Sequence, residues 1–223
     1  MSINPIPVIA IDGPTASGKG TVAARVAENL GYHYLDSGSL YRLAALAAQH
    51  EGIEIGDGFA VARIAANMKV LFREGKTLLD GVDVGDEIRT ESASQNASRV
   101  AALPAVRDAL LALQRAFRTA PGLVADGRDM GSVVFPDAIL KVYLTASAEA
   151  RAERRTKQLK EKGISAIMSD VVKELRARDE RDMSRPVAPL KHYFDAYLLD
   201  TTGISADVAV QKILGWAHDS VGV

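Results

Sequence analysis

Short apolar runs alternate along the chain with longer stretches of helical periodicity. The runs at residues 8–11, 123–125 and 139–144 are mostly apolar, which is typical of strands buried on both faces of a parallel sheet. Two shorter runs, at 32–35 and 196–199, raise the number of predicted strands to five. The stretches with helical periodicity lie at residues 22–30, 39–50, 104–120, 147–162, 169–181 and 205–217. This alternation predicts a three-layer α/β fold with a five-stranded parallel sheet.

The pattern changes between residues 63 and 103. Runs at 68–72 and 77–79 flank Arg73-Glu74-Gly75-Lys76, which is a hairpin signal, and a third short strand is predicted at 82–84. A small antiparallel sheet within a parallel α/β chain predicts an inserted α+β lobe at 63–103, with the core formed by 1–62 and 104–223. Surface hairpins without a function are the alternative that the pattern leaves open.

The most specific motif follows the first strand and leads into a helix. It reads Gly13, Pro14, Thr15, Ala16, Ser17, Gly18, Lys19, Gly20, Thr21. Two glycines five residues apart with a lysine next to the second fit a P-loop, whose backbone N–H groups and helix N-terminus face phosphate oxygens. Lys19 adds a full positive charge at the β- and γ-phosphates. Gly20 stands where a Ser or Thr usually holds the metal, so the motif favours a small-molecule kinase and leaves the metal ligands open.

Composition narrows the class of protein further. The chain has 223 residues, a net charge of −1 and no cysteine. The near-zero charge argues against a general nucleic-acid or membrane binder, and the absence of cysteine excludes disulfides and thiol nucleophiles. No run approaches 18 apolar residues, so we expect a soluble protein. The four histidines have no metal-ligand spacing.

Arginine is concentrated in the last third of the chain. Six of the twelve residues from 151 to 162 are basic, and Arg178, Arg181 and Arg185 follow on the next predicted helix. A solvated helix face is the simpler explanation of any single arginine. Transfer of a phosphoryl group between two anionic substrates, however, needs several positive groups around the phosphates, and arginine can bridge two oxygens and stays charged. The cluster therefore favours phosphoryl transfer.

Several dense motifs resemble one family along nearly the whole chain. They are Ile11-Asp12-Gly13-Pro14 with Gly18-Lys19-Gly20-Thr21, Leu35-Asp36-Ser37-Gly38-Ser39-Leu40-Tyr41-Arg42, Gln114-Arg115-Ala116-Phe117-Arg118, Ala125-Asp126-Gly127-Arg128-Asp129-Met130-Gly131, Arg178-Asp179-Glu180-Arg181-Asp182 and Pro186-Val187-Ala188-Pro189-Leu190. The chain resembles the bacterial cytidylate kinases, which move the γ-phosphoryl group of ATP to CMP or dCMP. The lengthened monophosphate-binding lobe of bacterial members is similar to the insertion at 63–103.

The resemblance implies a role for particular residues. Ser37, Arg107 and Asp129 read the cytosine ring, and the phosphate of the monophosphate is held by Arg42, Arg128 and Arg185. The sugar contacts Ser98, Arg178 and Asp182, and Asp36 belongs to the same substrate site. Residues 151–182 form a short helical lid over ATP. The catalytic set implied is Lys19, Arg128, Arg154, Arg155 and Arg181, with residues 13–21 binding ATP.

We therefore expect a monomeric, cytoplasmic kinase that uses ATP and Mg²⁺, phosphorylates CMP and dCMP, and binds neither nucleic acid nor membranes. Direct in-line transfer needs no covalent nucleophile, because the acceptor phosphate is already an anion. Two alternatives stay open: another small-molecule P-loop kinase, and a nucleotide-binding switch or ATPase module that acts through partners. No Asn-Lys-x-Asp guanine motif occurs, and Asp126 lacks the following glutamate of many ATPases.

Overall fold

The computed structural model describes residues 6–73, 76–161 and 163–221. In chain order the elements are β1 (Val8–Asp12), α1 (Lys19–Leu30), β2 (His33–Asp36), α2 (Ser37–His50), α3 (Gly58–Asn67), β3 (Val70–Arg73), β4 (Lys76–Leu79), β5 (Val82–Asp83), α4 (Glu91–Val100), α5 (Pro104–Ala116), β6 (Leu123–Gly127), β7 (Leu140–Thr145), α6 (Ala148–Glu161), α7 (Met168–Ser184), β8 (Tyr197–Asp200) and α8 (Ala206–Val221). A 3₁₀ turn at Glu87–Arg89 and a π-type turn at Met130–Val134 complete them. Residues 1–35 with 117–223 form one compact unit, and Asp36–Ala116 form a second.

The first unit is built on a five-stranded parallel sheet in the order β2-β6-β1-β7-β8. Strand β1 is central because its residues 8–11 are completely apolar and buried, with β6 and β7 paired on either side. Helices α1 and α8 pack through Val26 and Ile213 against one face of this sheet. Parallel strands bring their carboxyl ends to one edge, where α/β proteins bind ligands. The predicted α/β fold class is confirmed.

The second unit combines four helices with a three-stranded antiparallel sheet, β3-β4-β5. Its sheet lies where the hairpin pattern predicts, although Glu74 and Gly75 of the predicted turn lie outside the described residues. The unit extends beyond both ends of the insertion predicted at 63–103. The reason is packing: α3 lies against α5, and α2 lies against both α3 and α4, so these helices share one compact body.

Two helices of this unit differ from the sequence prediction. Helix α4 was not predicted, because its sequence Glu-Ser-Ala-Ser-Gln-Asn-Ala-Ser-Arg-Val contains almost no large apolar residue. Its buried face consists mainly of small side chains, and the hydroxyl of Thr90 caps it by accepting a hydrogen bond from the backbone N–H of Ala93 at 3.2 Å. Helix α5 ends at Ala116 rather than near residue 120, and its buried face includes the polar residues Arg107 and Gln114.

Candidate active site

The P-loop of the first unit leaves the carboxyl end of β1 and enters α1 through Gly18. Gly18 has φ +92°, a left-handed conformation that glycine adopts without the steric cost of a Cβ atom, and it stands at the N-cap of α1. The first helical bond runs from the N–H of Val22 to the carbonyl of Gly18 at 3.1 Å. Lys19 begins the helix, and its Nζ donates to the carbonyl of Pro14 at 3.4 Å. The loop therefore leads from a buried strand directly into a helix N-terminus, which is the structural context that a P-loop requires.

Gly13 is required because the chain passes very close to strand β7. A Cβ atom at this position would overlap the carbonyl oxygen of Leu144. The N–H of Gly13 donates to the carbonyl of Gly127 at the end of β6, at 3.3 Å. The start of the P-loop is thus fixed between the two strands that flank β1.

Two arginines of α6 donate hydrogen bonds to backbone carbonyl groups of the P-loop. The buried Arg151 donates to the carbonyl of Thr15 at 3.3 Å and forms a two-pronged ion pair with Asp179 at 3.1 and 2.7 Å. Arg154 donates to the carbonyl of Ser17 at 3.0 Å and to both oxygens of Thr201. Because arginine presents several donors in a fixed plane, one side chain can join the loop to the segment after β8.

A carboxylate lies beside the position where the P-loop has glycine instead of Ser or Thr. Oδ2 of the buried Asp126 would lie 3.2 Å from a Cβ atom at Gly20, and it accepts a hydrogen bond from the hydroxyl of Tyr34 at 3.1 Å. Carboxylate oxygen is a ligand that Mg²⁺ prefers, usually with several waters retained. Across residues 6–73, 76–161 and 163–221, no three carboxylates or histidines converge on a single metal position. The donor chemistry therefore fits a metal held by one carboxylate, phosphate oxygens and water.

The loop after β6 and the end of α7 form a charged network. Nε of Arg128 donates to Oδ2 of Asp182 at 2.7 Å, and Nε of Arg185 donates to the backbone carbonyl of Asp182 at 3.2 Å. Burial opposes ionisation of Asp182, but Arg128 and Arg185 outweigh it and hold the pKa of this carboxyl below its usual range. The structure thus brings together three predicted substrate contacts, with Asp182 neutralising the guanidinium groups.

Asp12 connects this loop to the P-loop. Its carboxylate accepts hydrogen bonds from the N–H groups of Met130 at 2.8 Å and Gly131 at 2.9 Å. Burial raises the pKa of Asp12 to about 6; the charge of Asp129 also raises it, and the two backbone hydrogen bonds partly offset these effects. Asp12 is therefore an ionised group at neutral pH that the fold holds at a cost in stability.

We expect this cost to be visible in the pH dependence of unfolding. A carboxyl whose pKa is raised on folding favours the folded state most at low pH, and its contribution is lost as pH rises from about 4 through about 6. Because Asp12 keeps some solvent contact, we expect a loss of about 2 kcal/mol rather than the full shift. The measurement is the free energy of unfolding of the unchanged chain and of Asp12→Asn at pH 4.5 and 7.5. Between pH 4.5 and pH 7.5, the free energy of unfolding of the variant should rise relative to that of the unchanged chain by about 2 kcal/mol. A difference in unfolding free energy that is the same at both pH values would contradict the raised pKa of Asp12.

Predicted substrate contacts in the second unit lie mainly at the start of α2. Asp36 caps this helix, accepting hydrogen bonds from the N–H and hydroxyl of Ser39 at 3.2 and 2.6 Å. Arg42 follows nearly two turns after Asp36, and its guanidinium lies 3.6 Å from the Asp36 carboxylate. Ser37, the first residue of α2, is buried. Asp36 therefore orients the helix start and the Arg42 guanidinium.

Arg107 and Ser98 of the same unit are buried polar residues on α5 and α4. Arg107 donates to the carbonyl of Ala101 at 3.2 Å, and its guanidinium lies 5.8 Å from the ring centroid of Tyr41. The Ser98 hydroxyl and the Gln114 amide nitrogen are buried without a hydrogen-bond partner. Buried polar groups are rarely left unpaired, so these two atoms are consistent with a ligand that supplies partners.

The remaining predicted residues differ in their surroundings. Asp129 is buried beside the Arg128 network, and Arg178 is partly buried on α7. Arg155 is partly buried on α6, where its Nη1 donates to the Gln158 side-chain oxygen at 3.5 Å, and Arg181 is exposed on α7. Of these arginines, Arg154 bonds to the P-loop directly, through the carbonyl of Ser17.

Sequence reasoning assigned no role to four groups that build this site. They are the Asp12 carboxylate, the Tyr34 hydroxyl, the Arg151–Asp179 ion pair and Thr201. A signal was present for two of them, because Asp12 and Thr201 directly follow or end apolar strands at the ligand-binding edge of the sheet. Nothing in the local sequence distinguishes Tyr34, and the arginine cluster that includes Arg151 gives no sign that Arg151 pairs with Asp179.

A parallel sheet, a phosphate-binding loop at its carboxyl edge and arginines around that loop define a P-loop kinase. The family model described as cytidylate kinase matches residues 9–219. A cytidylate kinase of Burkholderia ambifaria is 59% identical over 213 residues, covering 96% of this chain and 93% of that protein. One of Burkholderia thailandensis is 58% identical over 216 residues, covering 97% and 95%.

The chain belongs to the cytidylate kinase family, which confirms the family predicted from its motifs. Among solved structures, an uncharacterized protein from Eubacterium ventriosum aligns with a TM-score of 0.50 at 11% identity, covering 94% of this chain and 97% of that chain. At that identity the likeness concerns the fold alone.

Proposed function

We propose that this chain transfers the γ-phosphoryl group of ATP to CMP or dCMP, giving ADP and CDP or dCDP. Family membership supports the reaction. The structural observation that supports it most directly concerns two neighbouring groups of residues. Asp12, which directly precedes the P-loop, accepts a hydrogen bond from the loop after β6, and Arg128 of that loop is paired with Asp182, whose carbonyl accepts from Arg185. A phosphate donor site and a second, arginine-rich anion site in one unit are what transfer between two phosphates requires.

The donor ATP lies with its phosphates in residues 13–21. The backbone N–H groups of the loop and the N-terminus of α1 face the phosphate oxygens, and Lys19 neutralises the charge that develops on the transferred group. Arg154 acts from behind the loop, where its bonds to Ser17 and Thr201 keep the loop in its phosphate-binding shape. Arg155 on α6 and Arg181 on α7 act on ATP when the lid segment 151–182 covers it.

The proposed donor site would include Mg²⁺. Asp126 would hold it, since the carboxylate lies beside Gly20 and the Tyr34 hydroxyl fixes its orientation. When bound, the metal ion neutralises phosphate charge during transfer. A Cβ atom at Gly20 would lie 3.2 Å from Oδ2 of Asp126, so any larger residue there would make a tight contact with this carboxylate.

The acceptor nucleotide has three proposed sets of contacts, for its phosphate, its sugar and its base. Arg42, Arg128 and Arg185 hold its phosphate, and Ser98, Arg178 and Asp182 contact its sugar, with Asp36 orienting Arg42. Ser37, Arg107 and Asp129 read the base: cytosine offers an amine donor to a carboxylate or hydroxyl, and ring acceptors to a guanidinium. The unit Asp36–Ala116 is therefore the monophosphate-binding lobe of this proposal, larger than the insertion at 63–103.

The proposal is tested with a panel of acceptors, namely CMP, dCMP, UMP, AMP, GMP and shikimate, each with Mg·ATP. We expect kcat/KM for CMP or dCMP to exceed that for UMP by about 10²-fold or more, because uracil reverses the polarity at two positions and leaves buried groups unpaired. UMP, AMP or shikimate as the best substrate would contradict the cytosine assignment. ATP hydrolysis that runs equally fast without any acceptor would instead favour a switch or ATPase module.

The state of the protein in the cell is part of the proposal. We propose a monomer that acts in the cytoplasm on small nucleotides and binds neither nucleic acid nor membranes. Within the ranges that the structure describes, none of the helices has the length and apolar character needed to cross a bilayer. Sedimentation of the purified chain checks the monomer, with a mass near twice 23.8 kDa as the contradicting result.

A further inference from the structure

Asp12 lies at the junction between the two anion sites of the first unit. It is the last residue of β1 and directly precedes Gly13, the first residue of the P-loop. In the parallel register it is paired with Gly127 on β6 and with Tyr143 on β7. Its side chain reaches a segment more than a hundred residues later in the chain, where it accepts the N–H groups of Met130 and Gly131.

The turn that Asp12 contacts is irregular and cannot satisfy these donors by itself. The N–H groups of Val133 and Val134 both donate to the carbonyl of Asp129, at 2.9 and 3.2 Å, so the turn closes on Asp129. The first N–H groups of any helical turn have no partner within the turn. Asp12 accepts both of them, one on each carboxylate oxygen, at 2.8 and 2.9 Å.

A carboxylate is the side chain that fits this geometry. Both of its oxygens are acceptors, whereas an asparagine of the same shape presents one acceptor and one amide group that would face a backbone N–H. The turn packs closely against β1 and β7, since a Cβ atom at Gly131 would lie 3.1 Å from Cγ of Lys141 and 3.4 Å from Cβ of Ala10. The hydrogen bonds of Asp12 therefore fix a turn that already lies against the central strands.

The same junction contains a second link. The carbonyl of Gly127 accepts from the N–H of Gly13 at 3.3 Å and from Nη1 of Arg128 at 3.1 Å. Arg128 and Asp129 therefore lie between two hydrogen-bonded positions. Before them, the carbonyl of Gly127 is bonded to Gly13 of the P-loop, and after them the turn is bonded to Asp12.

We propose that Asp12 is a positioning residue for the reaction proposed above: its carboxylate fixes the turn after Asp129 and so aligns Arg128 and Asp129 with the P-loop. The inference rests on the proposed function. Both carboxylate oxygens of Asp12 are occupied by backbone donors, so it acts through the residues it aligns. The like charge of Asp129 and the burial of the group oppose its ionisation, and a carboxylate is retained here although a neutral residue would avoid that cost.

The test compares Asp12→Asn with the unchanged chain, using as acceptor the monophosphate that the unchanged chain phosphorylates fastest. We expect KM for that acceptor to rise at least about tenfold and the kcat/KM ratio between CMP and UMP to fall about tenfold, since a displacement of about 1 Å can cost about 10²-fold. The Kd for ATP, measured by direct titration, should stay within about threefold. The matched control is Val134→Ala, which removes buried apolar contact from the same turn and leaves the two hydrogen bonds in place.

The outcomes separate the two proposals. If the unchanged chain does not prefer CMP or dCMP, the proposed function fails, and the Asp12 test continues with the acceptor that is preferred. If Asp12→Asn loses stability but keeps the acceptor KM and the CMP-to-UMP ratio, as we expect for Val134→Ala, then Asp12 is structural only and the inference is overturned. Should Asp12→Asn not fold, replacement of the Gly131 backbone amide by an ester removes one donor and no side chain. Unchanged acceptor KM and selectivity in that protein would equally overturn the inference.

Discussion

Replacing Lys19 by alanine should lower kcat by about 10³-fold or more. The ammonium group stands at the start of α1, in a loop whose other donors are backbone N–H groups, and it supplies the full positive charge of the P-loop. Charge develops on the transferred phosphoryl group in the transition state, so the loss should fall mainly on kcat. The measurement is steady-state turnover at saturating ATP and CMP.

The control for this change is Lys212→Ala, which removes an exposed lysine from α8. We expect kcat of that variant to stay within about twofold of the unchanged chain. The CMP-to-UMP ratio should be unaltered in Lys19→Ala, because the acceptor base does not contact this lysine. A kcat reduced by less than about tenfold in Lys19→Ala would exclude a dominant role in transfer.

Replacing Asp129 by alanine should mainly change selectivity. If the carboxylate accepts the exocyclic amine of cytosine, its removal leaves that donor unpaired and removes the penalty against uracil, each worth about 1–3 kcal/mol. We expect the kcat/KM ratio between CMP and UMP to fall by roughly 10-fold to 100-fold. The measurement is the ratio itself, which does not depend on the fraction of active protein.

The matched control is Asp137→Ala, an aspartate a few residues later that is more than half exposed and paired with Arg118 at 2.7 Å. We expect its CMP-to-UMP ratio to equal that of the unchanged chain. If Asp129→Ala lowered turnover on CMP and UMP by the same factor, base reading by Asp129 would be wrong. Equal effects of Lys19→Ala and Asp129→Ala on both quantities would contradict the division between donor and acceptor residues.

The strands of the first unit could be predicted because short apolar runs in the sequence indicate that they are buried. Residues 8–11 and 123–125 contain no polar side chain, which is typical of short strands covered on both faces. Helix α4 could not be predicted in this way. Its buried face depends on small side chains such as Ala93 and Ala97, which give no apolar periodicity, and on packing against α2.

The candidate site shows the same division. The P-loop could be predicted because backbone conformation there depends on glycines at fixed spacing, which a sequence displays directly. The surroundings of the arginines could not, since arginine serves equally as a solvated residue, an ion-pair partner and a backbone donor. Arg151 and Arg154 lie one turn apart on α6 and bind the P-loop carbonyls, whereas the neighbouring Arg155 donates to the side chain of Gln158.

The core strands, the P-loop motif and the family could all be predicted from the sequence alone, because each depends on residues close together in the chain. Which charged groups lie next to one another could be seen only in the three-dimensional structure. Asp12 and Met130 are far apart in sequence, as are Arg128 and Asp182, yet each pair lies within 2.8 Å. Their meeting depends on the parallel register of β1 with β6 and on the position of α7, and both of these result from packing across the whole sheet.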